Sequence, residues 1–182
     1  GRRVVLLESD LVGRESSWAG GGIVSPLYPW RYSPAVTALA HWSQDFYPRL
    51  AEQLLVQTGI DPQVHATGLY WLDLEDEALA LEWARAQGYP LEPVEMALVH
   101  DAVPSLAEGF DRALHMPGLA NVRNPRLVKA LRAALLQLPN VQVQENCAVT
   151  GFIVERGRVC GVHTYRGEVR AQHVVVAAGA WS

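Results

Sequence analysis

Val4-Val5-Leu6-Leu7-Glu8-Ser9-Asp10, followed after a short spacer by Ser16-Ser17-Trp18-Ala19-Gly20-Gly21-Gly22-Ile23, is the stretch that decides the fold. An unbroken β-branched and leucine run closed by Glu8 predicts a strand buried on both faces, as in a parallel sheet under helices. The carboxyl end of such a strand faces the ligand crevice of a doubly wound sheet, where a carboxylate accepts hydrogen bonds from ribose hydroxyls. Glu8 is therefore a candidate adenosine-ribose ligand, set against the plainer alternative of a solvated glutamate at a strand end. Three successive glycines leave the following backbone bare, so its amides can approach a planar ring or a diphosphate closely. Ser16 and Ser17 add hydroxyl donors for phosphate oxygens. The alternative is a flexible turn, but a linker of that kind does not carry large apolar residues such as Trp18 and Ile23.

This combination resembles the FAD-binding fold of the D-amino-acid oxidase and glycine oxidase family, most of all its bacterial glycine oxidases of thiamine biosynthesis. The likeness runs through Leu7-Glu8-Ser9, Ser16-Ser17 and Ala19-Gly20-Gly21-Gly22-Ile23, and returns at Val149 and at Ala177-Ala178-Gly179-Ala180-Trp181-Ser182. It implies an α/β fold: a partial Rossmann-like FAD-binding domain with an inserted β-meander, and part of an α+β substrate domain. Residues 1–60 and 121–182 would belong to the first and residues 61–120 to the second. It also implies FAD as cofactor, held by Glu8, Ser9, Ser16, Ser17, Gly21, Gly22, Ile23, Val149 (through its backbone, to the adenine) and Gly179. The reaction implied is oxidative deamination of glycine or a related small amine to the imine, with O2 reduced to H2O2. Another flavin dehydrogenase of the same fold, acting on sarcosine, a D-amino acid or glycerol 3-phosphate, would keep every residue quoted, and an inactive piece is the non-enzymatic alternative.

A nucleotide-binding unit sets its glycine fingerprint roughly 20 residues before the acidic residue, which places it upstream of Gly1. The family's carboxylate-clamping Arg and its Tyr would lie beyond Ser182. The chain is thus expected to be incomplete and inactive by itself, and no catalytic residue is assigned within it.

Composition bounds the rest. The 182 residues, 49% hydrophobic and 19% charged, suit an ordinary globular chain with one core or parts of two. A net charge of −4 offers no basic field for nucleic acid or an anionic membrane, so a small amine or amino acid and O2 are the expected partners. Self-association into a homo-oligomer is left open. Cys147 and Cys160 form no CxxC and read as reduced core thiols in a cytoplasmic protein. Residues 174–180, the longest apolar run, are too few to cross a bilayer. The histidines stand singly, with no HxxxH or HExxH spacing, so no metal site is expected. Ser16-Ser17 has no hydrolase-elbow context. A methyltransferase would share the strand-end carboxylate but has no need of the glycine loop.

Along the chain, the segment with Pro26, Tyr28, Pro29, Trp30, Arg31 and Tyr32 is expected to be extended, at an active-site mouth or in interdomain packing. Helical periodicity spans residues 34–58, with Pro48 expected to kink or divide it and Gly59 to end it. Residues 65–74 read as one strand. Residues 76–87 read as a helix with Leu79 and Trp83 on its buried face, stopped by Gly88. Glu75, Asp76 and Glu77 read as a charge cluster at that helix start. Residues 89–118 are irregular apart from a short helix at 94–99. Asn124-Pro125 reads as a cap and first helical position, with Leu127, Val128, Leu131, Leu135 and Leu138 as the buried face. Residues 141–144 alternate, residues 149–155, 159–165 and 169–173 form a meander turning at Arg156-Gly157 and Arg166-Gly167, and residues 174–178 read as a buried parallel strand.

Overall fold

The computed structural model describes residues Gly1–Ser182. In chain order it contains β1 (Val4–Leu7), α1 (Ser16–Ala19), a 3-10 turn (Pro29–Arg31), α2 (Pro34–Thr58), β2 (Val64–Ala66), β3 (Leu69–Leu72) and α3 (Glu77–Gln87). Then come β4 (Glu92–Val94), α4 (Met96–Ala102), β5 (Ala113–Met116), β6 (Ala120–Val122), α5 (Asn124–Leu136), β7 (Val141–Gln144), β8 (Val149–Glu155), β9 (Arg158–Thr164), β10 (Gly167–Arg170) and a 3-10 turn (Gly179–Trp181). The chain divides into two units, Gly1–Trp18 with Leu131–Ser182, and Ala19–Ala130.

In the first unit β1 pairs in parallel with β7, from Val4↔Val141 to Leu7↔Gln144. The Glu8 amide extends the ladder by donating to the Gln144 carbonyl at 3.0 Å. The parallel strand forms as expected. Val4 and Val5 are exposed, because β1 is paired along one edge only and little in this unit packs over its start. The meander forms as expected, β8 and β10 flanking β9 in antiparallel array. Its first turn has positive φ at Arg156 (51°) and Gly157 (76°), the backbone that a two-residue hairpin turn needs to match strand twist. The strand expected at residues 174–178 is not formed in this chain: no ladder is present there, and Val175 is 86% exposed.

The second unit holds the larger core. Its three-stranded sheet runs β3-β5-β4, all antiparallel, with β5 in the centre. Leu114 and Met116 of β5 are each 1% exposed and pack with Trp30, Trp71, Leu91 and Leu119. On α3 the buried residues are Ala80 and Ala84, one turn apart, while Leu79 is half exposed. Trp83 packs half-buried against the core as expected, and the small side chains at i and i+4 bring the helix in close and leave Leu79 outside. α5 behaves likewise: Ala130 and Ala134 are buried, and Leu131 and Leu138 are exposed.

Pro48 does not divide α2, which is one helix of 25 residues ended by Gly59 in the left-handed region. A single lost backbone bond is tolerable in a helix of that length. Residues 65–74 are two strands rather than one, because Gly68 takes φ +73° and turns the chain between β2 and β3. The irregular 89–118 region contains β4, α4 and β5; the helix begins at Met96 instead of residue 94. The Arg123 carbonyl receives the first helical amides, Arg126 at 2.9 Å and Leu127 at 3.0 Å, so Arg123 and not Asn124 occupies the cap of α5.

Candidate functional site

In the first unit the site centres on Glu8, one residue past β1. Its Oε1 accepts from the Ser9 hydroxyl and the Asp10 amide, each at 3.0 Å, and Oε2 is left open. Ser9 thus orients the carboxylate. Ser16 and Ser17 open the single turn of α1, exposed, with no hydrogen bond on either hydroxyl. Val149 starts β8 opposite Thr164, and the Cys147 amide two residues before it donates to the Glu8 carbonyl at 2.8 Å. Adenine-side and ribose-side candidates therefore share one neighbourhood. Gly179 stands apart from that account: it begins the exposed 3-10 turn at φ +60°, and not at the end of a buried strand.

The glycine run belongs to the second unit and is not a loose loop. The Gly22 carbonyl accepts from the Val122 amide at 2.7 Å, the Val24 amide donates to Ala120 at 2.9 Å, and Ile23 bridges Asn121. Residues 22–24 thereby add a short third strand to the β2-β6 pair. The Asn124 side-chain amide, freed from capping, donates to the Gly20 carbonyl at 2.9 Å. The two glycines at the centre differ. A Cβ on Gly22 would strike the Val122 carbonyl oxygen, and its φ is +77°, so the fold itself requires glycine there. A Cβ on Gly21 would meet nothing within 4 Å.

Gly21 and Ile23 line a cavity of about 470 Å³ together with His65, Thr67, Asn121 and Arg123. Asn121 donates its side-chain amide to the Thr67 hydroxyl at 2.9 Å, and Ile23 is 43% exposed. These polar residues escaped the sequence reading because β2 and β6, which bring them together, are far apart in the chain. Only the Pro117-Gly118 turn before β6 hints at the pairing.

The segment after the glycines is a turn, not an extended strand. Trp30 is buried, stacking edge-on to Trp71 at 5.4 Å between centroids, which pulls Pro29–Arg31 into a 3-10 turn. Asp76 sits at the N-cap of α3 with Glu77 in its first turn, as the charge cluster at that helix start predicts, and it is also tied to the turn. It accepts from Arg31 Nε and Nη2 and from Trp30 Nε1, all at 2.8 Å, and Arg31 lies 4.2 Å above the Tyr28 ring. The Arg31 guanidinium, with Trp30 adding to it, lowers the Asp76 carboxyl to about 2.

A parallel β1-β7 ladder ending in a carboxylate, with a meander after it, marks an α/β fold. The whole chain, residues 1–182, matches the family described as FAD dependent oxidoreductase, and it belongs to that family. It is 64% identical over 180 residues to the glycine oxidase of Pseudomonas putida, covering 99% of this chain and 49% of that protein. It is 59% identical to the glycine oxidase of Pseudomonas aeruginosa, covering all of this chain and 50% of that one. The crystal structure of glycine oxidase from Geobacillus kaustophilus superposes with a TM-score of 0.87 at 29% identity, over 98% of this chain and 49% of that chain. The chain spans about half the length of the relatives it matches. No helix is long and apolar enough to cross a membrane.

Proposed function

We propose that this chain is part of an FAD-dependent oxidase that converts glycine, or a similarly small amino acid or amine, to the imine, with O2 reduced to H2O2 and the imine hydrolysed to the oxo acid. Its place would be thiamine biosynthesis in the cytoplasm. The observation that carries the reading is Glu8, a carboxylate at the carboxyl end of a parallel strand, braced on one oxygen and open on the other. FAD fits the residues on two further counts: Gly21 leaves space free to 4 Å, and the Ser16 and Ser17 hydroxyls are unengaged. The family and the names of the Pseudomonas relatives support the cofactor and the substrate class.

Bound FAD would supply the two-electron acceptor for the amine and pass those electrons to O2. The residues of this chain bind and orient. Glu8 Oε2 would accept from the ribose hydroxyls while Ser9 and the Asp10 amide hold the carboxylate in place. Ser16 and Ser17 would donate to the diphosphate, and Val149 would offer backbone to the adenine. Gly21, Gly22 and Ile23 would lie against the flavin, with Gly179 near the cofactor. Residues 1–60 and 121–182 would form the FAD-binding part and residues 61–120 part of the substrate domain.

The test is to purify the intact protein, record its flavin absorbance and assay peroxide with glycine, sarcosine and D-alanine. Bound flavin and glycine-dependent peroxide are expected. A colourless protein, or a flavoprotein that forms no peroxide with any of the three, would overturn the reading.

A further inference from the structure

The turn that follows β7 lies beside the turn that follows β1. Cys147 N–H donates to the Glu8 carbonyl and Asn146 N–H to the Asp10 carbonyl, both at 2.8 Å. Asn146 takes φ +52°, a left-handed conformation that asparagine adopts more readily than most residues. The third tie is made by a side chain. Glu145 Oε1 accepts from the Val12 amide at 3.0 Å, and Arg132 of α5 holds the same carboxylate through Nε at 3.3 Å and Nη2 at 3.1 Å. Arg132 first, and the Val12 amide after it, hold the Glu145 carboxyl below its ordinary range.

Asp10 is the joint between the two turns. Its amide bonds Glu8 Oε1 while its carbonyl bonds the Asn146 amide. The Glu145–Val12 bond lies just outside that joint and holds the far end of the 8–12 loop, while the Cys147 amide holds the Glu8 end. We propose that Glu145, anchored by Arg132, is a positioning residue for the adenosine half of the cofactor: it holds the 8–12 loop so that the Glu8 carboxylate keeps one oxygen braced and the other free for the ribose. The inference rests on the FAD reading of Glu8.

The test is a double-mutant cycle on FAD affinity in the intact protein stripped of flavin, using Glu8→Ala, Glu145→Ala and the pair. Each single change is expected to weaken FAD by about tenfold, and the pair by about tenfold as well, well short of the hundredfold that independent sites would give. Sub-additivity is what separates positioning through Glu8 from general loosening of the unit. Should Glu145→Ala fail to fold, Glu145→Gln keeps an acceptor for Val12 and loses the ion pair; it is expected to weaken FAD by about threefold, and by less once Glu8 is Ala. A hundredfold loss in the double variant, or a Glu145 change without effect on FAD beside a weakened Glu8→Ala, would overturn the positioning role alone. Unchanged affinity in Glu8→Ala would overturn the FAD reading of Glu8 and this inference with it.

Discussion

The two units are held together by different means. Ala19–Ala130 has a side-chain core, with Leu114 and Met116 of the central strand enclosed by Trp30, Trp71 and Leu91, and an alanine pair bringing α3 close. The other unit buries little beyond Ala134, Cys147, Ile153 and Val162, and its order comes from the β1-β7 ladder, the meander and the bonds between two adjacent turns. Dense packing is therefore concentrated in the second unit, which also carries the Gly21 cavity. The unit with the smaller core is the one that presents Glu8 Oε2 and the Ser16 and Ser17 hydroxyls.

That contrast is broken most directly by truncating side chains in each unit. Leu114→Ala should cost about 2–5 kcal/mol, the range for an enclosed leucine, while Val154→Ala, at an exposed position beside the meander's first turn, should cost under about 1 kcal/mol. Denaturant midpoints of the intact protein measure both, and equal losses would contradict the contrast.

The glycines sharpen it on a smaller scale. Gly22→Ala combines positive φ with a clash on the Val122 carbonyl and should destabilise by more than about 1 kcal/mol. Gly21→Ala should stay within about 0.5 kcal/mol and show its effect in flavin affinity instead. Thermal melts of the apoprotein beside FAD titrations separate the two effects.

A third expectation concerns acid. The folded-state pKa of Asp76 is about 2, below the roughly 3.9 of an unfolded aspartate. The group is ionised and paired above the unfolded value, and its contribution is lost as pH falls from about 4 through about 2. Asp76→Asn should therefore lower the melting temperature at neutral pH and narrow its gap to the parent as the pH approaches 2. A constant gap across that window would remove Asp76 from the account. The smallest effect belongs to the exposed Arg170–Glu155 pair on the meander: Glu155→Gln should change stability by under about 1 kcal/mol, less still at high salt.

Legibility in the sequence followed the range of the interactions. β1, the meander and the long α2 are local patterns, and Gly59 and Gly88 marked helix ends through left-handed caps. Glu8 and Ser9 lie where the two turns meet, and a strand-end carboxylate is a local signal. What escaped depends on distant partners. β5 and β6 are four and three residues long and become strands by pairing across the chain. On α3 and α5 the fully buried positions are alanines, which carry little apolar signal but allow close packing, while Trp83, Leu127, Val128 and Leu135 are half-buried. Glu145 gave no signal, since its importance lies in bonds to Val12 and Arg132 that no spacing rule anticipates.

The central claim is that Glu8 holds the adenosine ribose, and a crystal structure of the intact protein with FAD tests it most directly. The account predicts ribose hydroxyl oxygens within about 2.5–3.0 Å of Glu8 Oε2, with Oε1 still bonded to Ser9 and the Asp10 amide. A ribose held by another residue, with the Glu8 carboxylate in solvent, would contradict it.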